Sequence, residues 1–536
     1  LLVLVAVVLL LLPLVMLMKE PLGDLGRMWD KAGDQSGLGA VLRNTFLLAI
    51  GSVTLTVIMG TALAWCTVQL PPGRYTTVAN LIAVTPLTVP SVAAVVGWIF
   101  LFSPKIGYGN ALLRWVLPIG GKQGPIDVYS LPAIVGITSV ALVPFVYLFV
   151  LSALRNVDVG MEDAARASGA GWWRVQWSIV LRSIRPAVLY GTVVVLLLGL
   201  GQFTAPLFLG EGRIEVITTR MFFQTTAVPP DYAFAAILAV PLVITALLLV
   251  YLQRRLVGSV DRYQVVTKGA SRLRRRRRWP LIPVVLFGVF TVLPPLAGLG
   301  IVALSPYWSK DIDWGALSTS NFGNALSDPF VRSAFGNSLK FALVSVVILM
   351  AVSLPISLYL YRADGVLKRV LDYVVSLPLS VPGIVFGMGI FIAYALGPVK
   401  LYGSAVLFVI AYVIITLPHA VRILSGGIAQ IGRSPQDAAR VAGAGRTRTL
   451  RSVLLPLLRG PLGGAAILGF IIMVQEFGAA ALIRSTNTNV LSTTLYERWE
   501  FGGYSAVATL ALLMVLLCLL GVGLILLVGG RSALER

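Results

Sequence analysis

The chain has 536 residues, of which 57% are hydrophobic and only 12% charged, and it carries a formal net charge of +21. Soluble domains carry roughly 25% charged residues, so a water-soluble fold is excluded: so few charges could not cover a protein of this size, and the surplus apolar surface needs lipid. Cys66 and Cys518 both fall inside apolar runs, where each reads as a small hydrophobe and neither offers a disulfide or zinc framework.

A helix that crosses a bilayer needs about 20 apolar residues. Twelve such stretches follow in chain order, at roughly 1–17, 42–69, 78–102, 131–154, 186–209, 232–252, 281–304, 336–361, 370–396, 402–424, 461–483 and 505–528. No small-residue cleavage site follows the first stretch, so it reads as a span rather than a signal peptide. Pro86 and Pro90 fall in the third span and Pro378 and Pro382 in the ninth, where they predict either a packing kink or a break that turns backbone carbonyls toward a cavity.

Charge sets the orientation. With both termini cytoplasmic, the loops 70–77, 155–185, 253–280, 362–369 and 425–460 and the C-terminal tail hold about 27 Lys and Arg, against about 13 in the opposite loops. Acidic residues lean the other way, with Glu20, Asp24, Asp30, Asp34, Glu211, Glu215, Asp231, Asp311, Asp313 and Asp328 outside. The strongest basic run, Arg272 with Arg274 to Arg278, has no folded domain around it and lies against a membrane. It reads as a linker that fixes orientation and meets anionic lipid, not as a nucleic-acid site.

The chain also repeats itself. Residues 162–171 (Glu-Asp-Ala-Ala-Arg-Ala-Ser-Gly-Ala-Gly) match 436–445 (Gln-Asp-Ala-Ala-Arg-Val-Ala-Gly-Ala-Gly), an offset of 274. Thr85–Pro90 matches Leu377–Pro382, Asn44 matches Asn337, Pro144 matches Pro418, and Gln202-Phe203 matches Glu476-Phe477. The offset changes along the chain, which predicts a longer external loop around 103–130 in the first copy. Six spans per copy is an even number, so the repeats are parallel, and a substrate path belongs between them. The expected division is a first half at 1–256, a basic linker at 257–280 and a second half at 281–536.

The repeated segment lies on the largest cytoplasmic loop of each half. It reads as an Ala-rich helix with Asp near its start, favoured by the helix dipole, and with Gly169 or Gly443 at its C-cap. These loops resemble the EAA signature of binding-protein-dependent ABC importer permeases: Glu-Ala-Ala, three residues, Gly, nine residues, then Ile-x-Leu-Pro. The first copy gives Asp163-Ala164-Ala165, Gly169 and Ile179-Val180-Leu181-Arg182; the second gives Asp437-Ala438-Ala439, Gly443 and Val453-Leu454-Leu455-Pro456. Both copies carry Asp where the motif has Glu, and the first lacks the closing Pro.

The resemblance implies an all-α membrane protein with about twelve transmembrane helices as two parallel six-helix repeats, like a type I ABC importer, in the bacterial inner membrane. It implies two separate ATP-binding subunits and an extracytoplasmic solute-binding protein as partners. Glu162, Asp163, Ala164, Ala165 and Gly169, and Gln436, Asp437, Ala438, Ala439 and Gly443, would couple this chain to the ATP-binding subunits. Two fused halves, and the phrase Gln475-Glu476-Phe477-Gly478, resemble the ferric-iron type, with thiamine or phosphonate as alternatives.

The sequence holds no Gly-x4-Gly-Lys-Ser/Thr phosphate loop. The chain is therefore expected to have no catalytic residue and no cofactor of its own, with ATP and Mg on the partner subunits. Intramembrane carboxylates are expensive and usually functional. Glu476, with Gln202 at the matching place, either lines the translocation path between the halves or is a buried residue holding the fifth spans. His419, the only His, has no convergent ligands, so no metal site is expected. An ion-coupled secondary transporter would share the repeats but needs more coupling carboxylates than Glu476 supplies.

Overall fold

The computed structural model describes residues 2–23, 37–117, 123–257, 277–397, 400–432 and 434–529. Asp24, Asp30, Asp34 and most of the basic linker, including Arg272 and Arg274 to Arg276, lie outside the described residues. Among the described residues every regular element is helical. Among the described residues eight single helices are long and apolar enough to cross a membrane, and the count rises to eleven with each of three bent pairs taken as one span. The first of the twelve expected spans falls on the apolar helix Leu2–Gly23, of which the stretch Leu9–Lys19 is shorter than those spans.

The breaks expected at the proline pairs are real. The helices Arg74–Thr88 and Ser91–Phe102 meet at 88°. A residue before proline is pushed out of the helical region, and Val89 is extended (φ −89°, ψ 120°) ahead of Pro90. Val381 does the same ahead of Pro382 (φ −100°, ψ 130°). The longer loop of the first copy holds a helix of its own, Tyr108–Val116. Buried Asn110 fixes it, with Nδ2 2.7 Å from the Ile126 carbonyl and Oδ1 accepting from the Ile126 N–H at 3.2 Å.

The described chain folds as two compact units, and neither is simply one sequence repeat. One unit comprises residues 32–223 and 238–317. At its centre Leu38–Val68 packs along Leu131–Arg155, with Leu181–Leu200 against both. Lipid gives helices no hydrophobic reason to associate, so close approach of small residues and hydrogen bonds between helices hold them. A Cβ on Gly60 would stand 2.8 Å from Val146 Cβ. Thr56 Oγ1 donates to the Ser139 carbonyl at 3.0 Å, and buried Tyr147 donates to Asn80 Oδ1 at 2.8 Å. Leu281–Leu304, the first span of the second repeat, belongs to this unit and packs on Ser91–Phe102, where Gly97 has no room for a side chain against the Pro295 backbone.

The other unit comprises residues 1–31, 224–237 and 318–536. Its centre repeats the arrangement, with Pro329–Arg362 along Ala405–Ile431 and Arg459–Gln475 against both. Here Leu2–Gly23, the first span of the first repeat, packs on Gly383–Phe391, and Gly389 meets the Pro13 backbone as Gly97 meets Pro295. Folding thus exchanges the first spans of the two repeats, which no local sequence signal announces.

Candidate functional site

Each repeated loop segment is a short helix, Val159–Ala167 in one unit and Ser434–Val441 in the other. Asp158 caps the first, its Oδ1 accepting from the Gly160 N–H at 2.8 Å. The C-caps are identical. Gly169 (φ +82°) and Gly443 (φ +79°) take the left-handed conformation. The Ala170 N–H reaches the Ala165 carbonyl at 3.0 Å and the Gly169 N–H the Arg166 carbonyl at 2.9 Å; Ala444 to Ala439 and Gly443 to Arg440 repeat both bonds at 2.9 Å. This pair of bonds is a Schellman cap. Nothing lies within 4 Å of a Cβ built on either glycine, so backbone conformation alone fixes the choice of residue.

The two helices also expose the same face. Glu162 and Gln436 are buried, Asp163, Ala164, Asp437 and Ala438 are exposed, and Ala165 and Ala439 are half-buried. One residue per helix roots it in its unit and the compact Asp-Ala surface turns outward. The expected site residues are therefore brought together within each loop, and Glu162 and Gln436 stand apart from the rest as inward anchors.

The anchors differ between copies. Gln436 Oε1 accepts a hydrogen bond from the Arg362 guanidinium, at the end of Pro329–Arg362. At the matching place the first copy has Gln69, one residue past Leu38–Val68. Beside it opens a cleft of about 600 Å³ lined by Trp65, Gln69, Glu162, Arg166, Trp172 and Arg277. Glu162 pairs with Arg166 at 3.6 Å. Trp65 donates from Nε1 to Gln176 Oε1 at 2.9 Å and meets the Trp172 ring edge-on at 5.8 Å. The corresponding cleft in the second copy is about 220 Å³ and is lined by Leu358, Arg362, Arg440, Arg446 and Leu450.

From these loops the chain turns into the fifth span through a π-helical segment in both copies, Gln176–Val180 and Leu450–Leu454. The closing Pro of the motif then matters. With Arg182 in that place, Trp172–Leu200 runs on as one 29-residue span; with Pro456, the helices Arg446–Leu457 and Arg459–Gln475 meet at 69°.

Beyond the fifth span both copies break at the Gln202 and Glu476 positions, and short helices follow, Thr204–Leu209 and Gly478–Ile483. Glu476 is half-buried, and its Oε1 accepts from the Ala479 N–H at 2.9 Å, satisfying one free donor of the short helix. Gln202 is half-buried at the matching break, and its carbonyl accepts from Thr218 Oγ1 at 2.5 Å, as the Glu476 carbonyl accepts from Ser492 Oγ at 3.0 Å. The residues that complete the break were not expected. Helices Ile217–Thr226 and Leu491–Glu500 dock through Thr45 Oγ1, accepting from the Ile217 N–H at 2.9 Å, and Ser338 Oγ, accepting from the Leu491 N–H at 2.8 Å. Asn44 Nδ2 donates to the Glu215 carbonyl at 3.2 Å and Asn337 Nδ2 to the Asn489 carbonyl at 3.0 Å. The signal was present: Thr218-Thr219 and Ser492-Thr493 continue the offset of 274 beyond Gln202 and Glu476.

Comparison with known proteins agrees with this duplicated design. The chain matches the family described as the binding-protein-dependent transport system inner membrane component twice, over residues 53–258 and 351–532. It is 24% identical over 489 residues to a ferric transport system permease protein of Actinobacillus pleuropneumoniae, covering 89% of this chain and 69% of that one. It is 24% identical over 507 residues to the thiamine transport system permease protein of Escherichia coli, covering 92% and 89%. A putative 2-aminoethylphosphonate transport system permease of Salmonella paratyphi A matches 45% of this chain at 26% identity, over 89% of its own length. With two family segments on two copies of one six-span design, the chain belongs to the inner membrane components of binding-protein-dependent transport systems, as an ABC importer permease with both halves in one polypeptide.

Proposed function

We propose that this permease passes ferric iron from an extracytoplasmic binding protein to the cytoplasm by alternating access, driven by two ATP-binding subunits that dock on the helices Val159–Ala167 and Ser434–Val441. Both termini and both loops then lie on the cytoplasmic side, as the distribution of Lys and Arg favours. The observation that carries the reading is the doubled helix: the same cap, a buried residue at the same position and the same outward Asp-Ala face on both copies. A rigid, compact, outward-facing helix can transmit the movement of a partner without deforming. Iron is the substrate favoured by the ferric-system relatives; thiamine is the second reading, since the thiamine relative spans 92% of the chain.

The test is ATP hydrolysis in lipid by the chain co-expressed with the ATP-binding subunit encoded beside it. Binding protein loaded with ferric iron, thiamine or 2-aminoethylphosphonate is added in turn. Stimulation by the iron-loaded protein alone supports the substrate; stimulation by another names the correct one. Gly169→Val and Gly443→Val should each uncouple stimulation, because a left-handed Val costs about 1–2 kcal/mol of cap stability. Gly169→Asn, which tolerates that conformation, should stay coupled. If no ATP-binding subunit co-purifies and uptake follows an imposed ion gradient, the chain is not ATP-driven.

A further inference from the structure

The longer loop of the first copy carries a helix whose apolar face the chain leaves uncovered. The helix, Tyr108–Val116, is rooted at its start. Asn110 Nδ2 donates to the Phe102 and Ser103 carbonyls at 3.0 and 3.1 Å, and the Gly107 N–H donates to the Ser103 carbonyl at 3.0 Å. The hydroxyl of buried Tyr108 is hydrogen-bonded with the Ser305 side chain and the Ser309 backbone. Phe102 ends the helix Ser91–Phe102, and Ser305 caps the end of Leu281–Leu304. The chain returns past the same place, with the Gly124 N–H donating to the Pro104 carbonyl at 2.8 Å, and the span Leu131–Arg155 begins soon after. The helix therefore starts at the level where two spans end and a third begins.

We propose that Tyr108–Val116 lies in the headgroup layer of the extracytoplasmic leaflet, with Leu112, Trp115 and Val116 turned into the boundary between phospholipid headgroups and acyl chains. These three residues stand three and four apart, on one face of the helix, and they are 60%, 84% and 59% exposed. Leu117 continues the stripe. Single exposed apolar residues need no explanation, but a contiguous stripe does. Lipid fits it on three counts. The root at the span ends sets the helix at interfacial depth, where the amphipathic ring of tryptophan concentrates. The apolar face of such a helix sinks about 5–10 Å into the headgroup boundary. Between Ser103 and Ile126 the sequence has no acidic residue and three basic ones, Lys105, Arg114 and Lys122, which suits a layer of phosphates. A soluble partner that comes and goes needs a polar rim around its apolar centre, whereas the only side-chain polar group of this stripe is the Trp115 indole N–H. The second copy has no helix in its corresponding loop among the described residues. The helix thus ties the outer end of one bent span, Ser91–Phe102, to the bilayer. The choice of leaflet rests on the orientation proposed above; the insertion itself does not.

The experiment uses the full chain in lipid nanodiscs, spin-labelled at single introduced cysteines. Cys66 and Cys518 are both buried and stay unlabelled. Leu112→Cys and Val116→Cys place labels on the stripe and leave Trp115 intact; Asp311→Cys, at an exposed position, is the aqueous reference. Relaxation by oxygen, which concentrates in lipid, is compared with relaxation by a water-soluble nickel chelate. The ratio of oxygen to nickel effect at 112 and 116 should exceed that at 311 several-fold. A second measurement needs no label: phospholipid brominated near the headgroup should quench a larger share of tryptophan emission in the parent chain than in Trp115→Phe. Ratios at 112 and 116 equal to that at 311 overturn the inference, as does equal quenching of parent and Trp115→Phe. Shielding of 112 and 116 that appears only on adding the binding protein also overturns it, and makes the stripe a face for that protein instead.

Discussion

The copies of the repeated loop helix and the copies of the break beyond the fifth span have diverged to different degrees. At the break the bond donated by Asn44 and the bond accepted by Thr45 recur at Asn337 and Ser338, and the Thr218 bond to the Gln202 carbonyl recurs as the Ser492 bond to the Glu476 carbonyl. At the loop only the cap and the exposed face recur; the anchor exchanges Gln69 and Glu162 for Arg362 and Gln436, and the path into the membrane exchanges Arg182 for Pro456. The break consists of backbone groups in a low-dielectric setting, where each lost partner leaves an unsatisfied N–H or C=O. Most of the loop helix is exposed, and there other side chains can take over a lost charge or bend, provided the outward face is kept.

The largest effect should come from forcing the first copy to adopt the exit of the second. Arg182 sits inside the continuous span Trp172–Leu200. Arg182→Pro removes a helical N–H and should cost about 3 kcal/mol, read as a drop in the unfolding midpoint in detergent. The π-helical turn just before it, shared with the second copy, gives the proline a place to bend. Spin labels flanking residue 182 should therefore report a kink approaching the 69° seen at the Pro456 bend. A stable variant with unchanged label distances would show that Pro456 is not what bends the second copy.

Next in size is the break. Thr45→Val keeps shape but withdraws the acceptor of the buried Ile217 N–H, and should cost about 2 kcal/mol. Ser338→Ala should cost a similar amount through the Leu491 N–H. Thr45→Ser and Ser338→Thr, which exchange what the two copies already use, should stay within about 0.5 kcal/mol of the parent. Unequal costs for Thr45→Val and Ser338→Ala would mean that the two breaks are less equivalent than their hydrogen bonds suggest.

What the sequence disclosed follows from the range of the forces involved. The spans, the proline breaks and the glycine caps are local: Val89 is extended because Pro90 follows it, and Gly169 is left-handed because the helix must end there. The helices Thr204–Leu209 and Ile217–Thr226 were illegible as elements, being six and ten residues long, the second held by Thr45, 172 residues from Ile217. The first of them is as apolar as the fifth span beside it, so hydropathy alone does not separate the two. The exchange of first spans was equally hidden, since Gly97 and Gly389 reveal their close contacts only once Pro295 and Pro13 lie against them. The buried roles of Glu162 and Gln436 needed the fold as well, because an acidic or amide residue on an Ala-rich loop helix reads as part of its exposed face.

The smallest expected effect separates the two anchors most directly. Arg362→Ala leaves buried Gln436 without its donor, whereas Gln69→Ala, at the matching place, removes a side chain bonded only to its own helix, Nε2 to the Trp65 carbonyl at 3.3 Å. The first should cost about 1 kcal/mol, held down because the arginine is largely exposed and water can replace part of its bond. The second should cost no more than about 0.5 kcal/mol. Gln69 contributes to the anchor through its carbonyl, which survives the substitution and still accepts from Arg277. Two thermal unfolding curves read the difference. Equal costs would mean that the span end holds both loop helices by side chain.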